Sequence, residues 1–275
     1  MSYRILICYH TASGNTGWVT GQIARQLGEL GAEVFMQNIA CQQDAPAVDT
    51  FDAVGFGCPV MGFRPTFAMT DVIEKLPVQH GKPAFIFVSY AAVCASSLWM
   101  LAAMLSRKGY RVIAAERFRG ELSWPVARLT GIIASKGRPD ERDLSKITTF
   151  SRNIYAGLKS HREQGSGTFR RVPFAFFNPL SYMALLNKAA YLRFIMGKKR
   201  VDQSRCTRCG LCQKQCAASA ISLNPYPQFN ESCIGCWGCY NICPEKAIST
   251  FLGPRWGYAA RAHYLDASPA HEQKP

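Results

Sequence analysis

The chain has 275 residues, 48% of them hydrophobic and 18% charged. This excludes intrinsic disorder and leaves room for one large folded unit, or for a medium unit and a small one. The formal charge of +14 is uneven, Lys and Arg exceeding Asp and Glu by five up to Gly165 and by nine beyond it. Twelve cysteines would suit a disulfide scaffold only in a short secreted chain. Here Met-Ser-Tyr-Arg runs straight into a strand-like segment, with no charged n-region, apolar h-region or cleavage site. A reducing cytoplasmic setting is therefore expected.

Up to about residue 162 short apolar runs alternate with helical segments. RILICYH is followed by WVTGQIARQLGEL, AEVFMQNIA, FDAVGFGCPV, FAMTDVIEKL, PAFIFVSY, SSLWMLAAMLSRKG and RVIAAERF. Such alternation gives a doubly wound α/β fold with a five-stranded parallel sheet. The uncharged stretch from Pro83 to Ser106 is long enough to span a bilayer. It reads better as a buried strand, PAFIFVSY, and a core helix stopped by basic residues and a glycine. A last helix is signalled by Pro139 in its first turn, acids at its start, and Leu144, Ile147, Phe150, Ile154 and Leu158 at helical spacing.

In such sheets ligands bind beyond the carboxyl ends of the strands, where strand order reverses, so the turn after the first strand is the place to look. That turn reads Thr11-Ala12-Ser13-Gly14-Asn15-Thr16 and offers hydroxyls, an amide and a glycine ahead of a helix N-terminus, which favours a phosphate. It holds no lysine, and neither GxxxxGK[ST] nor GxGxxG occurs, leaving a monophosphate on neutral donors or an ordinary Ser/Thr helix cap. Thr11, Ser13, Gly14, Asn15 and Thr16 match the T/S-x-T/S-G-N-T loop of the flavodoxins, and this part of the chain resembles that family. The resemblance implies FMN, with its phosphate on that loop. Its ring would lie between Pro59, Val60, Met61 and Gly62 after the third strand and Ser89, Tyr90 and Ala91 after the fourth. Ala91 and Ala92 stand where relatives often carry glycine, and Tyr90 is placed either to stack on a flavin or to pack at a strand end.

The strongest signal lies further on. CTRCGLCQKQCAASAIS at 206–222 recurs 27 residues later as CIGCWGCYNICPEKAIS, every cysteine superposing. Each half is C-x2-C-x2-C-x3-C, which places three thiolates on one 4Fe-4S cluster and sends the fourth to the neighbouring one; zinc prefers paired C-x2-C knuckles separated by a loop. The segment resembles the two-cluster bacterial ferredoxins. By position the resemblance implies one cluster on Cys206, Cys209, Cys212 and Cys243 and the other on Cys233, Cys236, Cys239 and Cys216. Cys243-Pro244 follows the family pattern and Cys216-Ala217 departs from it. Gly210, Gly235 and Gly238 are expected to turn N–H groups toward cluster sulfurs, and Trp237 and Tyr240 either shield a cluster, bridge to a partner or fill a small core. The remaining Cys8, Cys41, Cys58 and Cys94 read as buried small hydrophobes and His10 as strand-end packing.

The expected organisation is a flavodoxin-like domain over 1–165, a linker over 166–200, a small α+β ferredoxin-like domain over 201–252 and a tail over 253–275. It resembles the flavodoxin-ferredoxin fusion proteins, a likeness that includes Gly137, Pro139 and Asp143 before the last sheet-packing helix. The linker carries Arg170, Arg171, Lys188, Arg193, Lys198, Lys199 and Arg200 and no acid, and one helix is expected from Asn178 to Met196, ending at Gly197. A basic apolar helix of this kind packs between domains, binds an acidic partner, or gives peripheral membrane contact through residues 169–200, at the inner face of the membrane. No nucleic-acid motif accompanies the charge. Three functions fit these features: an electron-transfer protein relaying between FMN, two 4Fe-4S clusters and acidic redox partner proteins; an FMN-dependent reductase of a nicotinamide or quinone; and a docking subunit of a membrane-associated redox complex.

Overall fold

Alternation along each strand sorts side chains onto two helical layers. In β1 (Arg4–Tyr9) Ile5 and Ile7 pack on one side while Leu6 and Cys8 pack on the other, the period of two that extended backbone imposes. The structure is a computed structural model that describes residues 2–40, 46–124, 134–164 and 171–251. With β2 (Glu33–Asn38), β3 (Ala53–Met61), β5 (Pro83–Tyr90) and β6 (Arg111–Arg119), β1 forms a parallel sheet in the order β2-β1-β3-β5-β6. The two-residue β4 (Arg64–Pro65) folds back antiparallel on the end of β3. Leaving that hairpin aside, this is the doubly wound order in which β1 and β3 flank the switch point.

Helices α2 (Phe67–Lys75) and α3 (Ser97–Arg107) cover the face that carries Cys8, Phe56, Ile86 and Val88. On the other face α1 (Asn15–Glu29) and α4 (Glu141–Gln164) bring Ile23, Leu27, Ile147 and Ile154 against Ile5, Ile7, Phe85 and Phe87. The second face works because small and large residues alternate across neighbouring strands. Gly55 pairs with Phe85 and Gly57 with Phe87, and a Cβ on either glycine would run into the facing ring. Both rings are fully buried and meet Phe150 edge-on, and Phe87 meets Phe118 in the same way, the geometry that aromatic quadrupoles favour. Pro83 to Ser106 is β5, a turn and most of α3, and no helix among the described residues is long and apolar enough to cross a membrane.

Two helix starts differ from the sequence expectation. α1 begins at Asn15, before Trp18, because Gly14 adopts a left-handed turn (φ 88) that lets the chain enter the helix directly. Pro139 lies outside α4: Asp140 caps that helix, its Oδ1 accepting from Arg142 N–H while Asp143 Oδ2 accepts from Asp140 N–H, a reciprocal capping box. The buried Asp143 carboxyl is raised by desolvation, but the Arg138 guanidinium and the Asp140 and Arg119 N–H groups outweigh this and hold it below the ordinary range.

The linker is two helices, α5 (Pro179–Leu186) and α6 (Ala189–Met196), rather than one. Asn187 is extended (ψ 130) at the break. Its side-chain amide donates to Gly62 O at 2.5 Å and its backbone carbonyl accepts from Arg64 at 2.9 Å, so the β3–β4 hairpin captures the acceptor a continuous helix would use. Ser181 and Ala184 are buried, Ser96 Oγ bonds Ser181 Oγ at 2.9 Å, and Phe174 meets Trp99 edge-on. One side of the linker thus packs on the sheet domain. Arg170, Cys41 and residues 253–275 lie outside the described residues.

After the linker, β7 (Arg200–Val201), α7 (Leu211–Lys214), β8 (Ile221–Leu223), β9 (Pro227–Phe229), α8 (Gly238–Ile242) and β10 (Ile248–Ser249) make a small unit with two antiparallel pairs. The 27-residue repeat is a backbone repeat. Left-handed residues occur in offset pairs, Arg208 with Gly235, Gly210 with Trp237 and Ser219 with Lys246. Trp237 takes the left-handed conformation just before Gly238, whose N–H reaches the Cys236 sulfur as expected.

Replacing Gly57 with Ala is expected to lower stability by about 3 kcal/mol, the upper range for forcing a methyl into a filled core, with the loss read from urea unfolding of the full chain. A change below 1 kcal/mol would mean that Phe87 can rotate away freely.

Candidate functional site

Four strand ends and a later part of the chain enclose one cavity of about 430 Å³, within the range of small-molecule sites. Ser13 and Asn15 line it from the first turn, Pro59, Val60, Met61 and Gly62 from the end of β3, and Ser89, Tyr90 and Ala91 from the end of β5. Of the candidate cofactor residues, Thr11, Gly14 and Thr16 do not reach the wall. They brace it: Thr11 Oγ1 accepts from Gly14 N–H at 3.1 Å, and the Thr16 and Ser89 hydroxyls bond at 2.7 Å.

Three features fit a mononucleotide. The first-turn N–H groups of α1 have no side-chain cap, leaving donors and the positive end of the helix dipole for an anion. Asn15 Nδ2 donates to Glu121 O at 3.0 Å while its Oδ1 is buried with no partner, an acceptor suited to a hydroxyl of the ligand. The loop after β5, which lacks glycine, is held by Arg119 and Ser135, both donating to Ala91 O at 2.6 and 2.7 Å, with the guanidinium 4.7 Å from the Tyr90 ring centre. A cation on that ring fixes Tyr90 in place.

The far wall was not legible in the sequence. Leu192, Ile195 and Met196 of α6 and Gly235, Cys236 and Trp237 of the second cysteine motif close the cavity, and Gly120 to Trp124 line it after β6. The last group could have been found from the rule that all strand ends point to one crevice. The others depend on how two distant pieces of chain pack. Gly235 (φ 68) is the point of contact, since a Cβ there would stand 2.9 Å from the Leu192 carbonyl carbon.

The eight clustered cysteines sort into two sets of four. Cys206, Cys209, Cys212 and Cys243 surround one small cavity, and Cys216, Cys233, Cys236 and Cys239 surround another, so the fourth cysteine of each half joins the other half's three. N–H groups meet the sulfurs in the same repeat, Ala220 to Cys216 and Ala247 to Cys243, both at 3.3 Å. Lys199 donates to Cys233 Sγ at 2.9 Å. Burial pushes the Cys236 thiol up to about 12 and the Cys212 thiol up to about 11. Groups so disfavoured as free anions become thiolates when a metal supplies the compensating charge. Trp237 packs on Tyr240 in the small core and lines the cavity of the Cys216, Cys233, Cys236 and Cys239 set; it also walls the large cavity, which was not expected.

Cys8, Cys58 and Cys94 are buried in the sheet core, where desolvation pushes Cys58 up to about 12. Next to the Thr11–Thr16 turn, His10 is buried, pairs with Thr66 Oγ1 at 3.1 Å and is lowered by desolvation to about 4.

Residues 205–248 match the family model of the 4Fe-4S dicluster domain. Among curated proteins no relative matches the chain. Solved structures that match include flavodoxin 2 from Bacillus cereus, 20% identical over 56% of this chain and 98% of that one with a TM-score of 0.45. The flavodoxin of Streptococcus pneumoniae TIGR4 is 16% identical over 56% and 98%, also at 0.45. Rubredoxin oxygen:oxidoreductase from Desulfovibrio gigas is 16% identical over 57% of this chain and 36% of that one, at 0.41.

Because His10 is harder to protonate in the folded protein than in the unfolded chain, its contribution is complete above pH 6.5 and is lost as pH falls toward 4. Unfolding free energies of the wild type and His10→Gln, compared across that window, should diverge by ~3 kcal/mol; parallel curves would show that His10 titrates normally. Lys199→Met removes a charged donor from Cys233 and is expected to lower one iron–sulfur reduction potential by about 60 mV, the one-electron equivalent of ~1.4 kcal/mol. Anaerobic potentiometry reads the shift, and unchanged potentials would remove Lys199 from the site.

Proposed function

We propose that this chain, a flavodoxin-like sheet domain followed by a 4Fe-4S dicluster domain, is an electron-transfer protein that carries FMN in the large cavity and a cluster in each cysteine set. When bound, these groups supply two-electron and one-electron redox chemistry, which is the cofactors' own. The protein's part is to hold, order and shield them. One observation carries the reading: Cys236, a member of one four-thiol set, lies in the wall of the same cavity as the Ser13–Asn15 turn and the β3 and β5 loops.

Ser13, Asn15 and the open N-terminus of α1 would hold the phosphate and ribityl end, with Pro59 to Gly62 and Ser89 to Ala91 flanking the ring. Leu192, Ile195, Met196 and Trp237 exclude water from the ring side. This covering supports single-electron exchange through the cysteine motif over hydride exchange with a nicotinamide laid on the ring. The set Cys216, Cys233, Cys236 and Cys239 would hold the cluster nearer the flavin. The set Cys206, Cys209, Cys212 and Cys243 would hold the outer one, where Cys209 is exposed and Arg208 and Glu245 line the same cavity. The net charge of +14 suits an acidic redox protein, with encounter rates that fall as salt rises.

Anaerobic purification should yield about eight iron, about eight sulfide and about one FMN per chain. NADH or NADPH alone should leave the flavin oxidised on the time scale of turnover with a protein partner. Colourless protein, flavin-free protein, or rapid bleaching by a nicotinamide would each overturn the proposal.

A further inference from the structure

Eight of the large apolar side chains that remain exposed among the described residues fall between Phe176 and Phe194. Phe177 is fully exposed, Leu186 is 78% exposed and Phe194 82%. In α6 Tyr191 and Phe194 face outward while Leu192, Ile195 and Met196 line the cavity. A helix that is apolar on both sides belongs beneath a cover, and exposed apolar side chains concentrated in one short stretch mark an interaction surface. The charge along the same stretch has one sign: Arg171, Lys188, Lys198 and Arg200 are exposed, and no Asp or Glu occurs between Arg171 and Val201.

We propose that this face lies on an anionic phospholipid bilayer, with Phe177, Leu186 and Phe194 entering the boundary between headgroups and acyl chains and the four cations meeting lipid phosphates. Apolar insertion joined to a basic cluster supplies the two signals that stable peripheral attachment requires. A lipid surface suits the patch better than an acidic protein does. Aromatic rings beside Lys and Arg are the composition of the membrane interface, and a stretch with no acid from Arg171 to Val201 matches a surface of one charge sign, which an anionic lipid headgroup layer presents uniformly. The contact is peripheral, and it does not depend on the redox reading.

Full-length protein with its cofactors is floated with vesicles of phosphatidylcholine alone or mixed with phosphatidylglycerol. Recovery with the anionic vesicles should exceed that with neutral ones by roughly tenfold at low salt and fall as salt rises. Phe177→Glu combined with Leu186→Glu should reduce it by roughly tenfold, with iron content, flavin content and visible spectrum unchanged. Arg171→Gln with Lys198→Gln, which leaves the apolar face intact, should lose much of the preference for anionic lipid. Wild type left out of the anionic vesicle fraction, full recovery of the Phe177 and Leu186 variant, or an unaltered lipid preference in the charge variant would overturn the proposal. So would an acidic protein that binds through Phe177 while vesicles do not.

Discussion

Gly235 approaches the Leu192 main chain so closely that no side chain fits between them, and the relation of the two domains rests on that approach. It brings α6 and the second cysteine motif together as one wall. Ile234, Ala217 and Ala218 then pack on the sheet core, and Asn38 bonds Gln215 at 3.2 Å. The small unit is consequently seated over the strand ends by apolar contact on one side and by a polar clasp on the other. A tether alone would leave its orientation free, as inter-domain motion is the ordinary expectation without such packing.

Within the small unit, conformation is conserved between the halves more strictly than residue type. Arg208 and Gly235 share a left-handed turn, as do Gly210 and Trp237. In each half one of these two positions is a glycine and the other accepts the backbone cost of a side chain. The second half gives its glycine to the place where Leu192 presses and puts tryptophan where the cavity needs a wall. The first half does the reverse, with Arg208 facing solvent. A symmetric cluster scaffold has thereby acquired one side that faces the sheet domain and one that faces outward.

The sheet was legible because strand burial writes itself locally: Ile5, Leu6, Ile7 and Cys8 are all apolar since both faces are covered, and the order of strands and helices followed from that. The cysteine repeat was legible because ligand spacing is a local property of the chain. The break at Asn187 was not, since MALLNKAAYL reads as helix until Gly62 and Arg64, over a hundred residues earlier, compete for its polar groups. Lys199 carried no signal beyond being one cation among several, because its meaning is a contact with Cys233 made only on folding. The same holds for Leu192 and Met196, whose apolar character announced burial without naming what they would cover.

The large cavity is assembled from pieces far apart in the chain, its floor from strand ends complete by residue 124 and its roof from Leu192 to Trp237. Residues on the two sides of that void share one packing problem: what Gly235 and Leu192 do to each other also sets how near Trp237 and Met196 stand to the β3 and β5 loops. A substitution in the cysteine unit can therefore reshape a pocket whose other walls lie over a hundred residues earlier in the chain.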